Sequence, residues 1–142
     1  MKYDALKLEN QLCFPLYAAA KEVVKKYTPV LSELDLTYTQ YIALMVLWEE
    51  KTVSVKTLGE RLFLDSGTLT PVLKSLEKKG YISRARLETD ERVVCATLTA
   101  AGDALKDKAL RAPAAVAGCL PLNADEAATL YRLLYKILGK EN

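Results

Sequence analysis

Residues 54–99 read SVKTLGERLFLDSGTLTPVLKSLEKKGYISRARLETDERVVCATLT. Ser54 is a helix-capping residue type, and Leu58 and Leu62 behind it fall one turn apart, which predicts a helix over 55–62. Phe63 and Leu64 follow as an apolar turn. Asp65 and Ser66 are again capping types, after which Leu69, Val72, Leu73 and Leu76 repeat at helical spacing with Lys74, Glu77 and Lys78 on the outer side. Gly80 closes this second helix. Pro71 has no N–H to donate and disturbs a mature helix interior, so residues 66–70 are expected to form a tight or irregular opening turn. Residues 81–86 and 92–98 read as two strands, with the polar loop LETDE between them. Two short helices and a charged hairpin make a winged helix-turn-helix: a mainly α fold with a small β wing.

Charge directs this segment toward nucleic acid. The whole chain carries only +2, but residues 51–86 hold eight Lys and Arg against three Asp and Glu. Phosphate neutralisation supplies most non-specific DNA affinity, and a modest overall charge hides a local basic face. Charge alone would fit an ordinary solvated surface equally well; the helix-turn-helix pattern decides for DNA. In the second helix Ser66, Thr68 and Thr70 are placed to meet phosphates or base edges, and Lys74 to reach the backbone. On the first wing strand, Arg84 and Arg86 are either phosphate contacts or plain surface.

The remaining composition narrows the function by exclusion. At 142 residues and 51% hydrophobic content the chain can bury a core of its own, near the usual size of one domain. No apolar run approaches the roughly 18 residues of a membrane helix, and MKYDALKLEN is no signal peptide, so a cytoplasmic protein without a membrane partner is expected. Three widely spaced cysteines make no disulfide framework, and histidine is absent. With no CxxC pair, glycine-rich phosphate loop or nucleophile elbow either, neither a metal nor an enzyme is indicated.

The flanking segments read as helices with another task. Leu12, Leu16, Ala20, Val23, Val24, Tyr27 and Leu31 form an apolar stripe over 8–31, with Pro15 at its first turn or a kink. Thr37 with Gln40, and Asn123 with Glu126, are capping boxes for helices over 38–50 and after 124. A further helix begins at Thr99 and is expected to weaken near Pro113. The last helix carries Ala127, Leu130, Leu134, Ile137 and Leu138 on one face. This is more apolar surface than one small winged domain covers, and dimerisation is its natural use. The expected organisation is one domain over 1–142, with the winged helix-turn-helix at 52–98 and helical dimerisation segments at 1–35 and 99–142.

The stretches LENQLCFPLY (8–17), LTYTQYIALMVLWE (36–49), LGERLFLDSGTLTPVLKSLEKKGYI (58–82) and DERVVCATLTAAG (90–102) resemble the MarR family of bacterial winged-helix regulators, and within it the organic hydroperoxide resistance regulators. The resemblance covers most of 8–102; the last forty residues match less distinctively. It implies a homodimer with interlocked terminal helices and two recognition helices about one DNA turn, roughly 34 Å, apart on a pseudo-palindromic double-stranded operator. From residue chemistry alone Asp90 is a turn former and Arg92 a solvated strand residue. The intact D-x-R pattern implies instead that Arg92 reaches the minor groove, whose narrow form concentrates negative potential, while Asp90 holds the wing.

The same resemblance bears on the cysteines. A free cysteine on an apolar stripe is usually a small buried hydrophobe. Cys13, however, matches the position of the peroxide-sensing thiol, and the tyrosines that accompany it match at Tyr17, Tyr27 and Tyr38. Their hydroxyls can hydrogen-bond a thiolate, and their rings favour an organic over an inorganic peroxide. In the family Tyr27 and Tyr38 come from the other subunit; Tyr41 is expected in the core. Cys119 matches the region of a resolving cysteine present in some members, while others use small thiols; Cys95 is expected to be packing. The implied function is a repressor that holds its operator while Cys13 is reduced and releases it after oxidation by an organic hydroperoxide, with no cofactor. Two alternatives stand beside it: a regulator controlled by a small phenolic ligand, and a thiol peroxidase with Cys13 as nucleophile.

Overall fold

The computed structural model describes residues 1–140. Two 3-10 turns, Asp4–Leu6 and Leu8–Asn10, lead into helix α1 (Cys13–Ser32) and then α2 (Tyr38–Glu50). Strand β1 (Thr52–Ser54), α3 (Val55–Leu62), α4 (Ser66–Lys78), β2 (Ile82–Arg86) and β3 (Val94–Leu98) make the winged lobe. Helices α5 (Ala100–Ala109), α6 (Ala112–Ala117) and α7 (Ala124–Ile137) complete the described chain, and none of its helices is long and apolar enough to cross a membrane. The antiparallel sheet has the order β1-β3-β2.

Local chemistry sets most element boundaries. The Thr37 hydroxyl accepts from the Gln40 N–H at 3.2 Å while Gln40 Oε1 accepts from the Thr37 N–H at 3.1 Å, closing the expected capping box; Asn123 and Glu126 close the second. After α4, Gly80 stands at φ +83°, with its N–H on the Glu77 carbonyl and the Tyr81 N–H on that of Leu76. This pair of bonds terminates the helix by a left-handed cap that glycine adopts without strain.

Three expectations need correction, and one element is new. α1 begins at Cys13, not near Leu8, and Pro15 sits in its first turn. The opening of α4 is not irregular: the helix runs unbroken from Ser66 through Pro71. The N–H that Pro71 lacks would have reached Gly67, and both residues face solvent, so the Gly67 carbonyl is open to water while Leu69 and Leu73 hold the inner face. The helix from Thr99 ends at Ala109, and Pro113 stands at the start of a new helix, where its missing N–H costs nothing. Strand β1 is additional; its Thr52 hydroxyl lies 3.2 Å from that of Thr97 on β3.

The core forms around α2. Leu44 and Leu47 are fully buried against Leu58 of α3 and Leu69, Leu73 and Leu76 of α4, with Ile82 and Ala96 closing from the sheet. Leu31, Leu34 and Leu36 seal the α1–α2 joint. The outer helices contrast with this. α7 buries no residue, and Leu12 just ahead of α1 with Phe14, Leu16 and Tyr17 of its first turns, like Leu130, Tyr131, Leu133 and Ile137 of α7, stand exposed.

One close approach joins the winged lobe to α5. A Cβ on Gly102 would lie 2.2 Å from the Tyr81 carbonyl oxygen, and the Gly102 carbonyl accepts the Trp48 indole N–H at 2.9 Å. Gly102→Ala is therefore expected to destabilise the fold by about 1–3 kcal/mol, although alanine is the better helix former. Gly118→Ala, where the nearest atom would be at 3.5 Å, should be close to neutral. Denaturant unfolding of both variants checks this; equal stabilities would refute it.

Candidate nucleic-acid interface and redox site

The helix-turn-helix presents its second helix by backbone geometry. α3 ends on Phe63 in the left-handed region at φ 55°, and Asp65 then caps α4 by accepting the Thr68 N–H at 2.7 Å. That N–H bond, first among its causes, holds the Asp65 carboxyl below the usual carboxylate range, so the cap stays ionised at neutral pH. Ser66 and Thr68 are left exposed on the first turn, and Lys74 is exposed two turns on. Thr70 is different: it is half-buried and its hydroxyl donates to the Ser66 carbonyl at 2.7 Å, which leaves the oxygen only as an acceptor.

The wing is organised by one carboxylate. Asp90 Oδ1 accepts from both the backbone N–H and Nε of Arg92 at 3.0 Å, and Oδ2 accepts from Nη2 at 3.2 Å. The guanidinium bond, followed by the backbone one, depresses the Asp90 pKa. Arg92 is nonetheless 90% exposed at the tip, so Asp90 aims it without covering it. Arg86 donates to the Glu91 carbonyl at 2.8 Å and braces the same loop. Arg84 is spent inside the protein: its N–H and Nη2 both bond Glu77 of α4, at 3.1 and 3.2 Å, and its buried Nε has no partner. It ties the wing to α4. Sequence reading missed Glu77 because its partner lies seven residues away across the Gly80 turn, a separation that no helical periodicity signals.

Cys13 is the first residue of α1 and is exposed, with Tyr17 one turn on and also exposed, its ring beneath the Lys21 ammonium. Tyr27 and Tyr38 sit elsewhere. Their rings pack at 4.9 Å between centroids, and each packs on the buried Tyr41, at 5.7 and 6.2 Å. Burial pushes all three phenols above their ordinary pKa, so they remain protonated donors throughout the physiological range. At 1.5 Å rise per residue, Cys13 and Tyr27 stand ~21 Å apart along α1. Within one chain the thiol and this cluster are two separate places.

Cys119 follows α6 in an exposed turn, its thiol donating to the Ala115 carbonyl at 3.3 Å. Cys95 is half-buried on β3 opposite Ser54 and Ala85. All three thiols are free. Among the described residues no group of His, Cys, Asp and Glu could hold a metal ion. A groove of about 190 Å³ lined by Tyr41, Met45, Trp48, Lys106, Leu110 and Pro113 separates α2 from α5 and α6. It is smaller than the roughly 300 Å³ from which small-molecule sites usually start.

Comparison with known proteins finds transcriptional regulators. The family model described as transcriptional regulator SarA/Rot matches residues 25–109. The chain is 49% identical over 137 residues to the organic hydroperoxide resistance transcriptional regulator of Bacillus subtilis, covering 96% of this chain and 93% of that one. Among solved structures it is similar to AbfR of Staphylococcus epidermidis. Reduced AbfR bound to DNA superposes with a TM-score of 0.79 at 35% identity over 98% of this chain and 97% of that one. Its disulfide form gives 0.66 at 34% identity over 97% of each. The chain belongs to the MarR family of winged-helix transcriptional regulators, among the organic hydroperoxide resistance regulators.

Proposed function

We propose that the chain is a cytoplasmic homodimeric repressor that holds operator DNA while Cys13 is reduced and releases it when an organic hydroperoxide oxidises that thiol. The observation that carries this is the separation just described: an exposed thiol at one end of α1 and three protonated phenols at the other, joined by an uncovered apolar face. A second copy laid antiparallel along that face brings its Tyr27 and Tyr38 to Cys13. The dimerisation segments are then 1–35 and 99–142, of which 141 and 142 lie outside the described residues.

The chemistry balances without a cofactor. The Cys13 thiolate attacks the terminal peroxide oxygen, the O–O bond breaks, and the alkoxide leaves as the alcohol, taking a proton. Sulfur has lost two electrons and is a sulfenic acid. A Cys119 thiol then displaces water from it to form a disulfide. α1 rises about 30 Å from Cys13 to Glu33, where Arg111 pins the start of α6, whereas 112–119 return only about 11 Å, so the usual Cα separation of roughly 4.4–6.8 Å is reached between chains rather than within one. On DNA, Ser66 and Thr68 meet the major groove, Lys74 the backbone and Arg92 the minor groove. Thr70 contributes as an acceptor, Arg86 by bracing the wing, and Arg84 by fixing it to α4.

Five outcomes test the reading. Arg92→Ala should weaken operator binding by on the order of 1–3 kcal/mol with the dimer intact, measured at matched salt; unchanged affinity sinks the wing contact. Tyr38→Phe should slow formation of the Cys13 sulfenic acid, and Cys119→Ser should form that acid but no covalent dimer, leaving DNA slowly unless a small thiol is supplied. A peroxide response in Cys13→Ser equal to wild type would remove the sensor assignment. Consumption of peroxide should stop near one equivalent per Cys13; sustained turnover with a thiol reductant would mean a peroxidase instead.

A further inference from the structure

Gln40 is the one buried polar side chain among the described residues, 6% exposed. It lies in the first turn of α2 between Tyr38 and Tyr41 of the aromatic cluster, yet its amide faces the recognition helix. Nε2 donates to Ser75 Oγ of α4 at 2.9 Å. Oε1 accepts the Thr37 N–H and the Lys79 ammonium, both at 3.1 Å. Lys79, the C-cap of α4, also donates to the carbonyl of Asp35, a residue held at φ 54° in the turn between α1 and α2, and its ammonium lies 3.6 Å from the Asp35 carboxylate. One amide thus gathers the α1–α2 joint, the first turn of α2 and the last turns of α4.

An apolar residue would fill this position without the desolvation cost that a buried amide carries. What the amide adds is direction: a packed leucine lets two helices slide, whereas three hydrogen bonds to fixed partners hold one register. We propose that the Gln40–Ser75 bond is the joint through which the tyrosine-lined redox site sets the position of the recognition helix, with Gln40 a positioning residue for DNA release. The inference rests on the redox reading above. Any displacement of Tyr38 or Tyr41 when Cys13 is oxidised moves the turn that carries Gln40, and α4 follows through Ser75 and Lys79. On this proposal the intact bond transmits the shift of α2 to α4, and the two positions of α4 relative to the operator are the two states that coupling between separated sites requires.

Ser75→Ala is the cleaner test, because it leaves the capping bonds between Thr37 and Gln40 in place. Operator affinity of the full-length dimer is measured reduced and after cumene hydroperoxide, with Cys13 sulfenic acid trapped by dimedone in parallel. Trapping should proceed at the wild-type rate, while the ratio of oxidised to reduced Kd contracts by about three- to thirty-fold. Gln40→Met should contract it similarly, and the double variant no further than either single one. If Ser75→Ala only lowers the Tm and weakens both states by the same factor, the wild-type ratio is kept and the joint is overturned while the redox reading stands. Wild type that is trapped at Cys13 yet keeps its operator overturns the redox reading, and the joint with it.

Discussion

Burial of α2 is the constraint on which both functional regions depend. Leu44 and Leu47 have no exposed surface, and the helices and strands that shape the winged lobe all pack around them. Removing either leucine's side chain from such a site costs on the order of 2–5 kcal/mol, a large part of a small domain's stability. The same helix holds Tyr38 and Tyr41 at its start and Trp48 near its end, where the indole bonds the Gly102 carbonyl of α5. A single rigid element thus touches the phenol cluster, the recognition helix and the root of the C-terminal helices. Little in this lobe can move without α2 moving.

Electrostatics are more local than the net charge of the segment suggests. Several of its basic groups are engaged by acidic side chains of the same chain: Arg61 with Glu49 and Glu50, Lys51 with Asp103, Lys79 with Asp35 and Arg84 with Glu77. These largely exposed pairs add little to stability, in the range of about 0–1 kcal/mol each. Their effect is to place the remaining charge: Lys56, Lys74 and Lys78 stay exposed on α3 and α4, and Arg92 is held out by Asp90 at the wing tip. A basic face of modest total charge is thereby concentrated where a duplex would lie, which favours steering of DNA without a strongly basic chain.

The sequence was legible where a local rule decides. Ser54, Asp65, Thr37 and Asn123 cap the helices they were expected to cap, and Gly80 stops α4, because each acts on backbone groups within a few residues. Pro71 misled because the local rule weighs a missing N–H without knowing that Gly67 and Pro71 share the solvent face while Leu69 and Leu73 anchor the other. β1 was invisible because three residues carry no period. Family resemblance marked Asp90, Arg92 and Cys13, which composition alone could not have raised above surface or packing. Gln40 and Glu77 escaped as long-range partners, since their interactions span the α2–α4 contact and the α4–β2 turn.

A monomer of this chain is an unfinished object, and the reason is geometric. α7 is strongly amphipathic, capped at its start by Asn123 and Glu126 and ended by the left-handed Gly139, so its helix is well specified; yet it buries nothing. The first half of α1 is in the same condition. A helix that is well defined locally but unsatisfied in its apolar face derives its tertiary stability from a partner. In the dimer proposed above, covering α1 is also what brings Cys13 of one copy to Tyr27 and Tyr38 of the other, so folding of these ends and assembly of the proposed redox site become one event.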